Sequence, residues 1–309
     1  MSNPPSAPSS GVGGAARGAV IAGVACYTLW GVLPLYLHAV AAAGPAPLEV
    51  IAHRALWSVP WAGLLALWAG QSRHCLAVLR TPRTLGLLTA SALLIAGNWT
   101  LYVWAVAHGR ILEGSLGYYI NPLMNMAAGA LLFRERLDWV GWSAIGLAAV
   151  GVAAQTVALG HPPYVSLVLA LTFTGYGLIR KQVAAEAQTG LFVECLVLAP
   201  LALGYILWLG QSGAGHFLAG PSPTILLLLA GPVTVVPLML FAWAARRLPL
   251  STIGFLQFIG PTLQFFIGVE GGESLTLLRA ASFGFIWAGV AVFAFGAWRK
   301  TRGLRPRPA

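Results

Sequence analysis

The sequence is poor in charge and in cysteine. Only 8% of its 309 residues are charged, whereas 58% are hydrophobic. A soluble domain needs a polar surface, and typical chains are about 25% charged. This composition excludes an ordinary soluble domain and indicates that lipid covers much of the surface. The three cysteines, Cys26, Cys75 and Cys195, are too few and too far apart for a disulfide framework.

Motifs for enzyme chemistry are also missing. Only two lysines occur, Lys181 and Lys300, and neither follows a glycine, so the sequence lacks a Walker A loop for ATP. The histidines form no H-E-x-x-H motif, and neither a C-x-x-C spacing nor a G-x-S-x-G nucleophile elbow occurs. We therefore expect no cofactor, no metal ion and no catalytic residues.

Long apolar stretches fill most of the chain. A helix needs about 20 apolar residues to cross a bilayer, and ten stretches of this kind occur. Numbered as spans 1 to 10, they cover residues 18–38, 48–70, 84–107, 112–133, 139–160, 163–181, 189–210, 223–245, 250–269 and 279–298. The sequence predicts an all-α polytopic membrane protein with ten transmembrane helices. Residues 1–16 are predicted to be a disordered tail and residues 301–309 a basic cytoplasmic tail.

The distribution of basic residues predicts the orientation of the spans. Cytoplasmic loops carry an excess of Lys and Arg. With the N-terminus inside, only Arg110 and Arg279 of the 18 basic residues fall outside, and Arg54 lies within span 2. Both termini are therefore predicted to be cytoplasmic. The net charge of +10 reflects this topology and contact with lipid headgroups, so we expect the lipid bilayer and not nucleic acid as a partner.

Two parts of the chain share a pattern of residues about 139 positions apart. The matched positions are Trp104 with Trp243, Asn121-Pro122 with Gly260-Pro261, Glu135 with Glu273, and Gly151 with Gly289. This pattern predicts two five-helix repeats, residues 17–160 and 161–300. Because five is odd, the second repeat would cross the membrane in the opposite direction, as in many secondary transporters. Chance similarity between apolar stretches is the alternative.

Several longer motifs are spread over nearly the whole chain. They are Trp30-Gly31-x-x-Pro34-x-Tyr36, Glu49-x-x-x-His53-Arg54-x-x-Trp57-Ser58, Gly97-Asn98-Trp99, the run from Leu112 to Pro122, Tyr176-Gly177-Leu178-Ile179-Arg180-Lys181, Glu186-Ala187-Gln188-Thr189-Gly190, the run from Leu250 to Thr262, and Phe285-Ile286-Trp287. Together these motifs resemble the RarD branch of the EamA family, in the drug/metabolite transporter superfamily. The resemblance implies a ten-helix transporter of the bacterial inner membrane with a central cavity between inverted halves. It implies little about the cargo, because members of the superfamily carry amino acids, nucleotide sugars, sugar phosphates or drugs. One departure from the family pattern is the additional acidic residue Glu270 before Glu273.

Three prolines, Pro34, Pro122 and Pro261, stand inside predicted spans as candidate helix kinks. A proline leaves the carbonyl four residues before it without its usual partner. Interruptions at matching places in two halves point to a transporter binding site, although purely structural kinks remain the alternative. The candidate substrate ligands near the second and third prolines are Tyr118, Asn121, Asn125, Gln257 and Gln264.

Span 2 carries three ionisable residues, Glu49, His53 and Arg54. Glu49 and His53 are four residues apart and share a helix face. Arg54 would be costly against lipid, so it is predicted to face a cavity, a carboxylate or exposed carbonyls. It would bind an anionic group of a substrate, while Glu49 or His53 carries a coupling proton. The alternative is a structural ion pair of Arg54 with Glu49 or with Glu113.

Glu113 and Glu194 complete the candidate coupling or gating residues, with a structural role for Glu194 as the favoured interpretation. The aromatic residues Trp30, Trp99 and Tyr102, together with Asn98, complete the candidate substrate ligands, because rings with a polar edge suit a partly apolar cargo. Packing or interface anchoring is the alternative for each aromatic residue.

The sequence thus favours a secondary transporter that moves a small amphipathic metabolite or drug by alternating access, by export or exchange, with protons as a possible coupling ion. A membrane scaffold or receptor is the second interpretation, and an integral membrane enzyme is the third. Small residues on spans 5 and 10 could pack within one chain or between two, so both a monomer and a homodimer are open.

Overall fold

The chain forms a bundle of α-helices, and the part that the structure describes contains no β-strand. The computed structural model describes residues 10–132, 138–245, 247–248 and 256–303. Its helices are α1 (Ser10–Gly31), α2 (Leu33–Ala42), α3 (Pro47–Trp68), α4 (Ser72–Leu79), α5 (Pro82–Ala107), α6 (Ile111–Leu132), α7 (Trp139–Leu159), α8 (Tyr164–Gln182), α9 (Ala187–Ser212), α10 (Pro221–Ala245), α11 (Ile259–Glu270) and α12 (Leu277–Gly303).

Some residues singled out from the sequence lie outside this description. They are the first part of span 9, Glu135, the basic residues between spans 4 and 5, and the side chains of Pro122 and Asn125. The prediction that Asn125 binds substrate therefore concerns a side chain outside the described residues.

Helix ends follow local sequence signals. Pro47 and Pro82 stand in the first turns of α3 and α5, where a missing N–H removes no helical hydrogen bond. Asp138 caps α7 by accepting a hydrogen bond from the Gly141 backbone N–H at 3.0 Å. Gly160 ends the same helix in the left-handed conformation, with φ of 72°.

The helices are interrupted just before two of the three prolines that were predicted as kinks. Span 1 is broken at Val32, and Pro34 lies in the first turn of α2. Residues 256–257 are helical and the helix is interrupted at Phe258, so α11 begins at Ile259 with Pro261 in its first turn. A first-turn proline is favourable because its nitrogen needs no intrahelical partner. By contrast, α6 continues through position 122 without a break.

Two further helical segments lie outside the predicted spans. Helix α1 begins at Ser10, within the predicted disordered tail, where Ala15 and Ala16 favour a helix. The segment after span 2 contains the short helix α4, whose Cys75 and Val78 are buried. Local pattern did not reveal this helix because tertiary packing stabilises it.

Helices from residues 17–160 pack against helices from residues 161–300 in a regular set of pairs. Helix α3 packs on α9, and α7 packs on α12. Other pairs are α3 with α10 and α5 with α9, α5 with α8 and α1 with α10, α6 with α8 and α1 with α11, and α6 with α11.

The α7–α12 contact depends on two glycines. A Cβ atom at Gly151 would lie 2.9 Å from the Ser282 carbonyl oxygen, and one at Gly289 would lie 2.9 Å from the Ala144 carbonyl oxygen. Ser282 also donates to the Gly151 carbonyl at 2.7 Å. These small residues therefore pack against each other within one chain, as membrane helix contacts often do.

Six of the described helical segments are long and apolar enough to cross a membrane, and two shorter apolar helices accompany them. The outer surface agrees with contact to lipid, since large side chains such as Trp68 and Leu277 are almost fully exposed. The all-helical prediction is therefore confirmed.

Candidate substrate site

The polar centre of the bundle is built around Arg54 on α3. This side chain is only 4% exposed, although it carries a charge. Its Nε donates to Thr234 Oγ1 on α10 at 3.1 Å, and its guanidinium carbon lies 4.7 Å from the centroid of the Trp99 ring on α5. Its Nη1 is enclosed and donates to no described residue. The contact with the Trp99 ring stabilises the cation without neutralising its charge.

Three tyrosines surround this arginine and interact with it electrostatically: Tyr36 on α2, Tyr102 on α5 and Tyr118 on α6. Tyr36 donates to the Leu226 carbonyl oxygen at 2.8 Å. Tyr102 is 2% exposed, yet its hydroxyl has no described partner. The rings of Tyr102 and Tyr118 are 5.3 Å apart, so aromatic surface lies beside the free hydroxyl.

Asn98 connects this centre to α8. Its Nδ2 donates to the Leu169 carbonyl and to Thr172 Oγ1, both at 2.8 Å, while its Oδ1 accepts from the Tyr118 hydroxyl at 3.5 Å. The side chain is fully buried. We call the following residues the central cluster: Tyr36, Arg54, Asn98, Trp99, Tyr102, Tyr118 and Thr234.

The expected carboxylate partners of Arg54 bind elsewhere. Glu49 accepts hydrogen bonds from the backbone N–H of His216 at 2.7 Å and interacts with His216 Nδ1 at 2.9 Å. Glu113 pairs with Arg110 at 2.7 Å. Neither forms an ion pair with Arg54, and no other described carboxylate does. The alternative of a structural ion pair at Arg54 therefore finds no partner among the described residues.

His53 is fully buried next to the central cluster. Its Nδ1 accepts from Trp57 Nε1 at 2.9 Å, and its ring lies 4.8 Å from that of Phe217. The other ring nitrogen, Nε2, has no described partner. Because a neutral imidazole carries one N–H, an acceptor at Nδ1 requires the proton at Nε2, where it has no described acceptor.

Residues near the predicted inner ends of the helices form a second polar group. Glu194 on α9 accepts from Ser91 at 2.5 Å and from Tyr176 at 3.5 Å, and it lies 3.7 Å from Arg180 Nη1. A Cβ atom at Gly190 would meet Arg180, so this glycine leaves space for the arginine. Glu194 thus has a partner of opposite charge, Arg180, whereas Arg54 has no described carboxylate partner.

Gln71, just before α4, adds to these inner contacts. Its Nε2 donates to Glu186 at 2.7 Å, while its Oε1 accepts from the Thr189 hydroxyl at 2.8 Å. Cys75 lies beside the same threonine, with its Sγ 3.5 Å from the hydroxyl oxygen. These bonds join residues of the first predicted repeat to residues of the second.

Glu273 forms a comparable link at the predicted outer end. Its carboxylate accepts from the backbone N–H groups of Ile111 and Leu112 at the start of α6. A carboxylate is favourable there because these N–H groups have no intrahelical partner. Burial raises the pKa of Glu273, and the two backbone N–H groups and Arg279 offset only part of this rise.

Arg110 strengthens the same outer end. Its Nη1 donates to the Tyr164 hydroxyl at 2.6 Å. Burial lowers the pKa of Arg110, but its hydrogen bonds to Tyr164 and Glu113 raise it by more, so the net pKa is raised. Arg110 therefore keeps its charge at any pH relevant to cells. Glu113 Oε2 is nevertheless buried without a described partner.

The remaining sequence candidates lie on α1, α6 and near α11. Asn121 is 1% exposed, and neither its Nδ2 nor its Oδ1 has a described partner. Gln264 donates to the Trp30 carbonyl at 3.1 Å, while its Oε1 has no described partner. Gln257 is half-buried at the end of the helical turn that precedes the break at Phe258. Asn121 lies one turn beyond Tyr118 on α6, next to the central cluster.

Sequence reasoning missed Tyr36, Thr234 and His216. A hydroxyl in an otherwise apolar span, such as Thr234, was an available signal. Tyr36 belongs to one of the motifs noted above, but no local pattern indicates its contact with Leu226, 190 residues away. His216 stands in a loop 167 residues from Glu49, and no local pattern indicates that pairing.

An all-helical bundle with apolar outer faces, a buried polar centre and six described segments long enough to cross a membrane indicates a multi-pass membrane protein. The chain belongs to the RarD family: it is 40% identical to protein RarD of Escherichia coli (strain K12) over 283 residues, which cover 91% of this chain and 95% of that protein.

Other relatives agree with this assignment. An uncharacterized transporter of Pseudomonas aeruginosa is 45% identical over 94% of this chain and 97% of that protein. The chloramphenicol-sensitive protein RarD of the same species is 30% identical, over 93% and 95% of the two chains. No protein-family model matches the chain. A solved crystal structure at 20% identity has a similar fold, with a TM-score of 0.60 over 90% of this chain and 98% of that chain.

Proposed function

We propose that this protein is a secondary active transporter of the bacterial inner membrane that moves a small amphipathic metabolite or drug by alternating access. The observation that carries the proposal is the central cluster, where buried polar atoms lack partners inside a bundle whose relatives are named as transporters. Polar groups inside a membrane bundle are costly and are typical of a substrate pathway.

The proposed architecture is ten spans in two inverted five-helix repeats, with both termini in the cytoplasm. Helices α1 and α2 together form span 1, and α3, α5, α6 and α7 form spans 2 to 5. Helices α8, α9, α10, α11 and α12 form spans 6 to 10. Under a two-fold axis, the contact of α3 with α10 becomes that of α9 with α5. The contact of α5 with α8 likewise matches that of α10 with α1, and the contact of α6 with α8 matches that of α11 with α1. The contacts α3–α9, α6–α11 and α7–α12 are symmetric in themselves. These contacts support the repeat, whereas the weaker contacts of α6 with α12 and of α4 with α9 have no counterpart.

Contacts at the two ends supply a basis for alternating access. Glu49 with His216, and Glu273 with the start of α6, connect the halves at the outer end. Ser91 with Glu194, and Gln71 with Thr189, connect them at the inner end. Arg54 is buried between these two sets of contacts. Breaking one set of contacts while keeping the other would open one side only.

We further propose that transport is export or exchange, driven by a gradient of substrate or protons. His53, Glu49 and His216 supply titratable groups beside the central cluster for proton coupling.

Counterflow in proteoliposomes tests this function. Vesicles that contain the purified protein are loaded in turn with unlabelled amino acids, their precursors or amphipathic drugs, chloramphenicol among them, and entry of the same labelled compound is measured. We expect faster exchange than in empty vesicles for at least one compound. Arg54→Gln should abolish this exchange, whereas Arg73→Gln, at an exposed arginine of α4, should leave it unchanged.

Exchange that is no faster than in empty vesicles for every compound, with folded protein present, would contradict the proposal and favour a scaffold or receptor. Turnover of a compound by protein in detergent would favour a membrane enzyme.

A further inference from the structure

The central cluster contains one full positive charge and no described negative charge. The groups that face Arg54 are hydroxyls, a thiol and an aromatic ring: Tyr36 from α2, Trp99 and Tyr102 from α5, Tyr118 from α6, Cys195 from α9 and Thr234 from α10. His53 precedes Arg54 on α3, with one ring nitrogen bound to Trp57. A charge buried without a counterion is unstable, so this arrangement calls for an anion from outside the chain.

Two enclosed donors in this cluster have no described partner, namely Arg54 Nη1 and the Tyr102 hydroxyl. The Nε of the same guanidinium is already bound to Thr234. A carboxylate has two oxygens and only accepts hydrogen bonds when ionised, so it suits a pair of free donors beside a cation.

Resting on the proposed function, we propose that the cargo of this site is an organic monocarboxylate, with its carboxylate on Arg54 and Tyr102 and a planar apolar group against the neighbouring rings. Tyr102 and Tyr118 provide these rings, and Phe173 lies edge-on to Tyr118 at 6.3 Å. Offset or edge contacts of this kind favour an aromatic or other planar group.

The charges of the described residues around Arg54 argue against a cargo that is a dianion, a zwitterion or a neutral molecule. A dianion such as a phosphate ester would add a second negative charge that no described group of the cluster neutralises. The ammonium of a zwitterion would need a free carboxylate. Glu113 is the nearest acidic residue on α6, but Arg110 already balances its charge. A neutral cargo would leave Arg54 uncompensated.

Ligand-dependent thermal stability tests the proposal on the full chain in detergent. The probes are phenylacetate, 3-phenylpropionate and 4-phenylbutyrate, each compared with the amide and the amine of the same carbon skeleton, and with L-phenylalanine and phenyl phosphate. A ligand that binds only the folded protein raises the melting temperature. We expect at least one of the three carboxylates to raise it, and its amide and amine to have no effect.

Variants separate the roles of the two donors. Arg54→Gln should remove the shift, whereas Arg54→Lys should retain part of it because the charge remains. Tyr102→Phe should weaken the apparent affinity about tenfold by removing one hydrogen bond to a charged group. Arg73→Gln, on the exposed face of α4, should bind as the natural protein does.

Several results would overturn the proposal: no shift with any of the three carboxylates, an equal shift with an amide, a larger shift with L-phenylalanine or phenyl phosphate, or an unchanged shift in Arg54→Gln. Counterflow with the same compounds separates the two proposals. Carboxylates that bind without being exchanged would support this site and contradict transport, whereas exchange of another charge class alone would support transport and contradict this site.

Discussion

The buried arginine at the centre of the bundle and the arginines near its ends are in opposite situations. Arg110 lies 2.7 Å from Glu113, and Arg180 lies 3.7 Å from Glu194. Arg54 is more deeply buried than either, but no described carboxylate pairs with it. The charges of Arg110 and Arg180 are balanced by carboxylates, whereas the charge of Arg54 carries a desolvation cost that no described carboxylate offsets.

This difference distinguishes groups that hold the fold together from groups kept for a ligand. Proteins tolerate destabilising features mainly where function requires them. The free atoms of Arg54 and Tyr102 are such a feature, whereas Glu49, Glu194 and Glu273 each bind several donors. The ends and the centre should therefore respond oppositely to mutation.

The largest expected effect is on transport at the centre. Arg54→Gln should reduce the exchange rate about 100-fold, since losing one partner of a buried charged contact costs about 2 to 5 kcal/mol. Initial rates of counterflow, normalised to folded protein, measure this. An exchange rate of Arg54→Gln within a factor of two of that of the natural protein would show that Arg54 does not bind the cargo.

A large effect on stability is expected at the outer end. Arg110→Met leaves the Glu113 carboxylate buried without its cation, and it should destabilise the fold by about 2 to 3 kcal/mol. Denaturation in detergent measures the change. The double variant Arg110→Met with Glu113→Gln should recover most of the loss, because the uncompensated charge is gone. Equal losses in the single and double variants would contradict this explanation.

An intermediate effect is expected where the helices only pack. Gly151→Ala brings a Cβ to within 2.9 Å of the Ser282 carbonyl and should cost about 1 to 3 kcal/mol by separating α7 from α12. Gly146, on the same helix, has no atom near its Cβ position. Gly146→Ala should therefore be neutral or slightly stabilising. The reverse order of these two melting temperatures would argue against the packing described here.

The smallest effect on stability is expected at Tyr102. Since its hydroxyl has no described partner, Tyr102→Phe should change the free energy of unfolding by no more than about 0.5 kcal/mol. The same variant should raise the KM of exchange. A clear loss of stability without any change in KM would assign the hydroxyl to the fold instead of the cargo.

The sequence predicted the all-helical fold and the approximate position of each helix because apolar stretches of this length have few other structures in a membrane. It also singled out Arg54, since an arginine in an apolar span is rare. It marked Pro34, next to the break at Val32, as a candidate kink, but it did not predict the short helix α4, which packs on α5 and α9.

The sequence also could not predict which residues pair with the charged side chains. Glu49 lies five residues before Arg54 on the same helix, so an ion pair between these two residues was an alternative that the sequence left open. The structure instead joins Glu49 to His216, which only the packing of α3, α9 and α10 brings into reach.

The melting temperature of Arg54→Met without any ligand tests the central claim most directly. If Arg54 is kept for a cargo, removing its uncompensated charge should leave the melting temperature unchanged or raise it, while Arg110→Met lowers it in parallel. A fall in Arg54→Met as large as that in Arg110→Met would show that Arg54 holds the fold together and would contradict the account.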